Sequence, residues 1–199
     1  MNACHFLKTI TSEYHRKVER TLVNQLLLSK TLSLTSYASC MGHYLGLINP
    51  LEKCLVSYPT IIVCGYSFRS QWLKDDLLAL GWSQCQIEDH PQYTQLPTVD
   101  TLAKALGVAY VLQGSQLGGV VLRKQITATL GEDILRCNGL NFWGVQSLDD
   151  VTSSWQAFKS NVDELFSTRH DLSLSETAQA ATETFACFHY WFNQPLANY

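Results

Sequence analysis

Charge is scarce in this chain: Asp, Glu, Lys and Arg make up 16% of its 199 residues, against 46% hydrophobic residues. That balance excludes a disordered segment, and the length suffices for one domain, 1–199, with a sizeable core. A basic excess is also missing. Seventeen acids and fourteen bases leave a net charge of −3, unlike a general nucleic-acid binder. Seven cysteines, at 4, 40, 54, 64, 85, 137 and 187, form no C-x-x-C pair. An odd, scattered set argues against a zinc site or a disulfide framework and for a reducing cytoplasm. The first residues lack the basic-then-apolar order of a signal peptide. The long uncharged run Ala105 to Leu122 carries Gln113, Ser115, Gln116 and four glycines. It reads as a buried helix, so no membrane span is expected. Heptads, internal repeats and low-complexity tracts are absent.

What is present is mostly helical periodicity. A first helix is expected from Ala3 to Leu27, with Leu7, Ile10, Tyr14, Val18 and Leu22 on one apolar stripe. Thr35 is placed as the cap of a second helix with Tyr37, Met41, Leu45 and Ile48 inward, ended or kinked by Pro50 near Asn49, though helix can continue to Leu55. Ser57 to Tyr66 reads as a turn with a β-like run at Thr60–Val63. Arg69 to Leu80 reads as a helix stopped by Gly81. Trp82 to Pro97 reads as a polar connection. Thr98 is expected to open a long helix that runs to Leu130 and stops at Gly131. Asp149 and Asp150 start the next helix, bearing Trp155, Phe158, Val162 and Leu165. Ser173 and Glu176 make a capping box for the last, rich in Phe185, Phe188, Tyr190 and Trp191. The fold class is all-α, a single bundle of six to eight helices.

On the first helix, Lys8, His15 and Glu19 share one flank of the apolar stripe, at i, i+7 and i+11. A neutral histidine binds iron through one ring nitrogen and needs an acceptor for the other. Glu19, one turn on, is placed to accept it. The plainer reading is a surface pair worth a few tenths of a kcal/mol.

In the long helix, Gly107, Gly114 and Gly118 fall within about 40° of one another, and Gly119 adjoins them. Four interior glycines cost roughly 4 kcal/mol against alanine, so something must approach that backbone closely. Another helix packed on small residues is one candidate. A flat ligand is the other, and the Gly118-Gly119 pair favours it by allowing a kink.

Three patches, in order, resemble heme oxygenases. His15 with Glu19, and Lys8 seven residues earlier, is similar to the family's ligand helix. Tyr110-Val-Leu-Gln-Gly-Ser-Gln-Leu-Gly-Gly119 is similar to its glycine-rich distal helix, especially the form found in bacterial enzymes associated with phytochromes. Ala181-Thr-Glu-Thr-Phe185 through Trp191 resembles that subgroup's closing helix, and Arg69–Gly81, with Trp72, Asp76 and Leu77, its middle region. The resemblance implies a helical heme sandwich and conversion of heme, O₂ and electrons to biliverdin, CO and ferrous iron. Heme is then both substrate and cofactor. His15 would be the neutral iron ligand and Lys8 a propionate partner. Tyr110, Gly114, Gly118 and Phe185 would line the heme. Gly114, Ser115, Gly118 and Gly119 would form the distal surface, where backbone crowds bound O₂ and bends its outer atom toward a meso carbon. Ferredoxin or its reductase would supply electrons, and a bacteriophytochrome is a candidate acceptor of the bilin.

Two positions depart from the pattern. Ser115 stands where animal members carry an aspartate that anchors ordered water; a hydroxyl can hold water but brings no charge. Gln113 stands where the phytochrome-associated form often has Glu. Arg16, Lys17 and Arg20 are a candidate docking patch for an acidic donor. Arg123, Lys124 and Lys159 are unranked candidates for the propionates. His43 and His189 are read as core or edge residues, His90 and His170 as solvent-facing. Heme binding without turnover is the alternative function. A thiaminase-like hydrolase lacks an assembled cysteine and carboxylate set, and a di-iron oxidase lacks Glu-x-x-His pairs.

Overall fold

A computed structural model describes residues 2–144 and 147–196, and there every regular element is a helix. The ten are α1 (Ala3–Glu19), α2 (Leu22–Leu27), α3 (Leu34–Leu55), α4 (Thr60–Val63), α5 (Ser70–Ala79), α6 (Gln84–Glu88), α7 (Leu102–Leu130), α8 (Glu132–Cys137), α9 (Leu148–Thr168) and α10 (Leu174–Trp191). The all-α single bundle expected from the sequence is the fold found. Short helices in the connections raise the number above the expected six to eight. α10 packs along both α7 and α1, while α9 closes against α7 and α1 and α3 lies against α5 and α7. By length and composition α7 could cross a bilayer, but over half of its most apolar window is buried against these neighbours.

Local chemistry explains where the expected boundaries moved. The first helix breaks before Leu22. Buried Thr21 turns its hydroxyl back onto the Val18 carbonyl (2.8 Å), and Asn24 Nδ2 donates to the same oxygen (2.8 Å). Such side-chain bonds compete with the helical ladder. Ile10 and Leu22, expected inward, are exposed. Ser33, not Thr35, caps α3, and Thr101, not Thr98, caps α7. Ser147 caps α9, with Asp150 completing a capping box. Ser173 caps α10 as expected, yet the Glu176 carboxylate accepts from the Thr101 hydroxyl (2.9 Å) and so ties α10 to the start of α7. The β-like run Thr60–Val63 is a helical turn. A lone strand would have no partner for its backbone, whereas Ile62 N–H reaches the Pro59 carbonyl (3.0 Å) and Cys64 N–H that of Thr60 (3.0 Å).

Pro50 neither ends nor breaks α3. It cannot donate to the carbonyl of Gly46, one turn back. That oxygen accepts instead from Tyr93 N–H (2.8 Å). The freed carbonyl thus straps residues 91–97 across α3, and Gly46 gives them room: a Cβ there would lie 2.6 Å from the Pro91 carbonyl oxygen. His90 is consequently buried, not solvent-facing, and packs against Trp82. Buried His43 stacks on Trp191 (4.4 Å, 9°) and bonds its carbonyl (2.6 Å).

Burial pulls the His90 pKa from 6.5 down to about 4, and burial also lowers His43. The unfolded chain therefore takes up protons that the folded one refuses. Stability is full above pH 6.5 and is lost as pH falls toward 4, by about 3 kcal/mol for His90 alone. Urea midpoints at pH 7 and pH 4.5 should show the loss, and His90→Gln should shrink it.

Candidate functional site

α1 is set by Asn2, whose side chain accepts from His5 N–H (2.7 Å), and is pinned to α9 where Cys4 N–H donates to Asp163 (2.9 Å). This fixes the outward flank that carries His15. The His15 Nδ1 lies 3.4 Å from Glu19 Oε1, with both side chains more than half exposed. From α10, buried Phe185 meets the imidazole edge-on, ring centres 5.8 Å apart. His15, Glu19 and Phe185 are therefore brought together. Lys8 is exposed on the same helix, two turns earlier.

Tyr110 connects this side to the glycine helix. Its ring is buried on α7 and its hydroxyl bonds Thr11, one turn before His15; burial pushes its pKa up to about 12. Across Tyr110 lies Trp155 of α9 (5.2 Å), stacked on Phe158 (5.7 Å, 12°) with the Lys159 ammonium 5.6 Å over its ring. The indole touches Gly114, where a Cβ would meet it at 3.4 Å. Gln113 holds the same seam by donating to Ser154 Oγ (3.4 Å) and accepting from Gln116 (3.0 Å).

The glycines do not act as one stripe. A Cβ on Gly107 would lie 2.3 Å from the Thr177 carbonyl oxygen and 3.0 Å from Ala180 Cβ, so this glycine serves helix packing against α10. Gly119 lies under Trp143, with 3.3 Å to a Cβ. Gly118 has nothing within 4 Å. Open backbone for a flat ligand is thus concentrated at Gly118, beside the Trp155–Gly114 contact. Alanine substitutions should separate the two roles. Gly107→Ala forces α10 to move and should cost about 1–3 kcal/mol of overpacking, more than helix propensity returns. Gly118→Ala should gain up to about 1 kcal/mol. Thermal midpoints should move in opposite directions.

Sequence reasoning named Ser115 but missed its partner, Arg69. Ser115 Oγ donates to the Leu112 carbonyl (2.7 Å) and accepts from Arg69 Nη2 (3.3 Å), which also donates to Leu112 (2.8 Å). Arg69, expected simply to begin a helix, is buried with its guanidinium 5.0 Å over Phe142. Of the three cations proposed for propionates, Arg123 is committed to the Leu140 carbonyl (2.9 Å). Lys159 is the one beside the Trp155–Gly114 contact. Among the described residues no cluster of three or more His, Cys, Asp and Glu could hold a metal ion.

A search of curated proteins finds no match. Solved structures do match. One is a heme oxygenase from Leptospira interrogans, 16% identical with a TM-score of 0.75, over 97% of this chain and 99% of that one. Another is heme oxygenase-1 from the cyanobacterium Synechocystis in complex with heme, 17% identical with a TM-score of 0.69, over 97% and 91%. At such identities these matches speak to the fold. The family model for heme oxygenase matches residues 1–194, nearly the whole sequence, and on that match the chain belongs to the heme oxygenase family.

Proposed function

We propose that this protein cleaves heme, with O₂ and reducing equivalents, to biliverdin, CO and ferrous iron, using His15 as the iron ligand. The observation that carries the reading is the assembly around His15. Its Nδ1 faces Glu19, so Nε2 is the nitrogen left for iron, and Phe185 limits how the ring can turn. Gly118 supports the reading from the other side: a ligand lying against it would meet open space that a side chain would fill.

Heme supplies the iron that activates O₂ and the porphyrin that is opened. The residues do the rest. Glu19 faces Nδ1 and would fix the orientation of the ring, so that Nε2 is the atom His15 would offer to heme iron. Gly118 offers open backbone where a larger residue would stand, and Gly114 lets the Trp155 indole sit close beside it. Lys8 and Lys159 are the cations proposed for the propionates. Tyr110 and Trp155 supply aromatic walls.

Electrons are proposed to come from ferredoxin, docking on the exposed cations beside His15. Within that patch Lys17 is paired with Glu13 (2.9 Å), so Arg16 and Arg20 carry the net attraction. A bacteriophytochrome remains the proposed acceptor of the bilin. The test is direct: titrate hemin into the protein, add ferredoxin with its reductase, or ascorbate, and follow the bilin absorption. Biliverdin release supports turnover, whereas a stable heme complex with no bilin favours a passive heme binder. Gly118→Ala, although more stable, should turn over more slowly, because its methyl group stands in the open face.

A further inference from the structure

The glycine segment has Ser115 where the resemblance to animal heme oxygenases leads one to expect an aspartate, but charge is close by. Arg69 is 4% exposed. Burying a guanidinium is costly unless a carboxylate compensates it, and among the described residues no carboxylate stands within ion-pair distance. Glu52 is near enough for its charge to favour the guanidinium, but not to pair with it, and its oxygens are already occupied. It accepts from Tyr66 Oη (2.8 Å), Arg69 N–H (2.7 Å) and Ser70 N–H (2.9 Å) and so caps α5. The guanidinium is left with the face of Phe142, the Leu112 carbonyl and the Ser115 hydroxyl, while its Nε has no partner. The Ser115 proton is directed to Leu112 and one lone pair to Arg69, so its second lone pair is the one turned to solvent or ligand.

We infer that Arg69 is a positioning residue for the heme reaction. Acting through Ser115, it fixes the distal hydroxyl and makes the distal side electropositive at the position where animal members place an acid. This rests on the heme reading of the site. A preorganised cation one side chain from the glycine segment stabilises negative charge on whatever occupies the open iron position, without needing to touch it. It also orients the water that Ser115 can bind, which gives protons a route that needs no carboxylate.

Carbon monoxide on the ferrous heme complex is the probe. A positive distal field strengthens back-donation from iron and lowers the C–O stretching frequency; removing the field raises it. Infrared spectra of wild type, Arg69→Met and Ser115→Asp should show a higher C–O frequency in both variants, the second because its carboxylate pairs with Arg69 and cancels the field. A purely structural role for Arg69 would leave the frequency unmoved in a folded Arg69→Met that binds hemin, and that result would overturn the inference. Should Arg69→Met not fold, Ser115→Asp decides by the same criterion. Failure of the wild type to bind hemin at all has a different signature: it removes the heme reading and this inference with it.

Discussion

His15→Ala should lose the ligand-dependent Soret band on hemin titration and should drop biliverdin formation by more than about 100-fold, past the 10–100-fold range typical of outer-shell partners. The size follows from the arrangement around the ring. His15 is the histidine that α1 presents beside Phe185, and the described residues offer no cluster that could take over. Porphyrin burial alone would still leave weak, non-coordinated binding, so affinity should fall less than turnover. Glu19→Gln is the companion measurement. It keeps the shape and hydrogen-bonding reach across 3.4 Å but withdraws the charge that makes the imidazole a stronger donor. A loss of about 10–100-fold is expected. Equal Soret spectra in wild type and His15→Ala would sink the ligand assignment.

Asp76→Ala should destabilise the fold by about 3–5 kcal/mol, the cost of stripping one side from a buried charged network. Asp76 is fully buried. It accepts from Asn141 N–H (2.7 Å), Asn141 Nδ2 (2.8 Å) and Phe142 N–H (2.8 Å). Burial raises its pKa, and those three donors pull against the rise. Alanine would leave all three donors stranded, at about 1–3 kcal/mol each before relaxation. The damage would also reach the site. The loop that Asp76 holds carries Phe142, under the Arg69 guanidinium, and Trp143, against Gly119. Urea denaturation measures the first effect, and hemin affinity below the midpoint the second. A loss under about 1 kcal/mol would mean that water replaces the carboxylate.

The long elements were legible because their signals are local and repeated. α7 shows itself by the uncharged run Ala105–Leu122 and the stop at Gly131, and α10 by its Ser173 cap and aromatic face. His15 with Glu19 was legible for the same reason, since a helix places i and i+4 together. The rest depended on distant partners. Nothing near Thr60 announces that no second strand exists to pair with it. The burial of His90 depends on Pro50, forty residues earlier in sequence, freeing a carbonyl for Tyr93. Gly107 and Gly118 look alike on a helical wheel, yet one meets the backbone of α10 and the other open space. The contact between Arg69 and Ser115 spans 46 residues, so no spacing rule could bring them together, and the charge of the distal side was invisible until the chain was folded.

The docking of α1 on α10 has a consequence for the living sequence of events. Phe185 beside His15, the Phe192 carbonyl that receives Val23 N–H (3.2 Å) and the Asn193 side chain that receives Leu22 N–H (3.2 Å) are each synthesised about 170 residues after the group they meet. α1 and α2 must wait that long without the surface that orients them. A ribosome stalled before residue 185 would display His15 without Phe185, so the proposed capture of heme at His15 would have to follow that point.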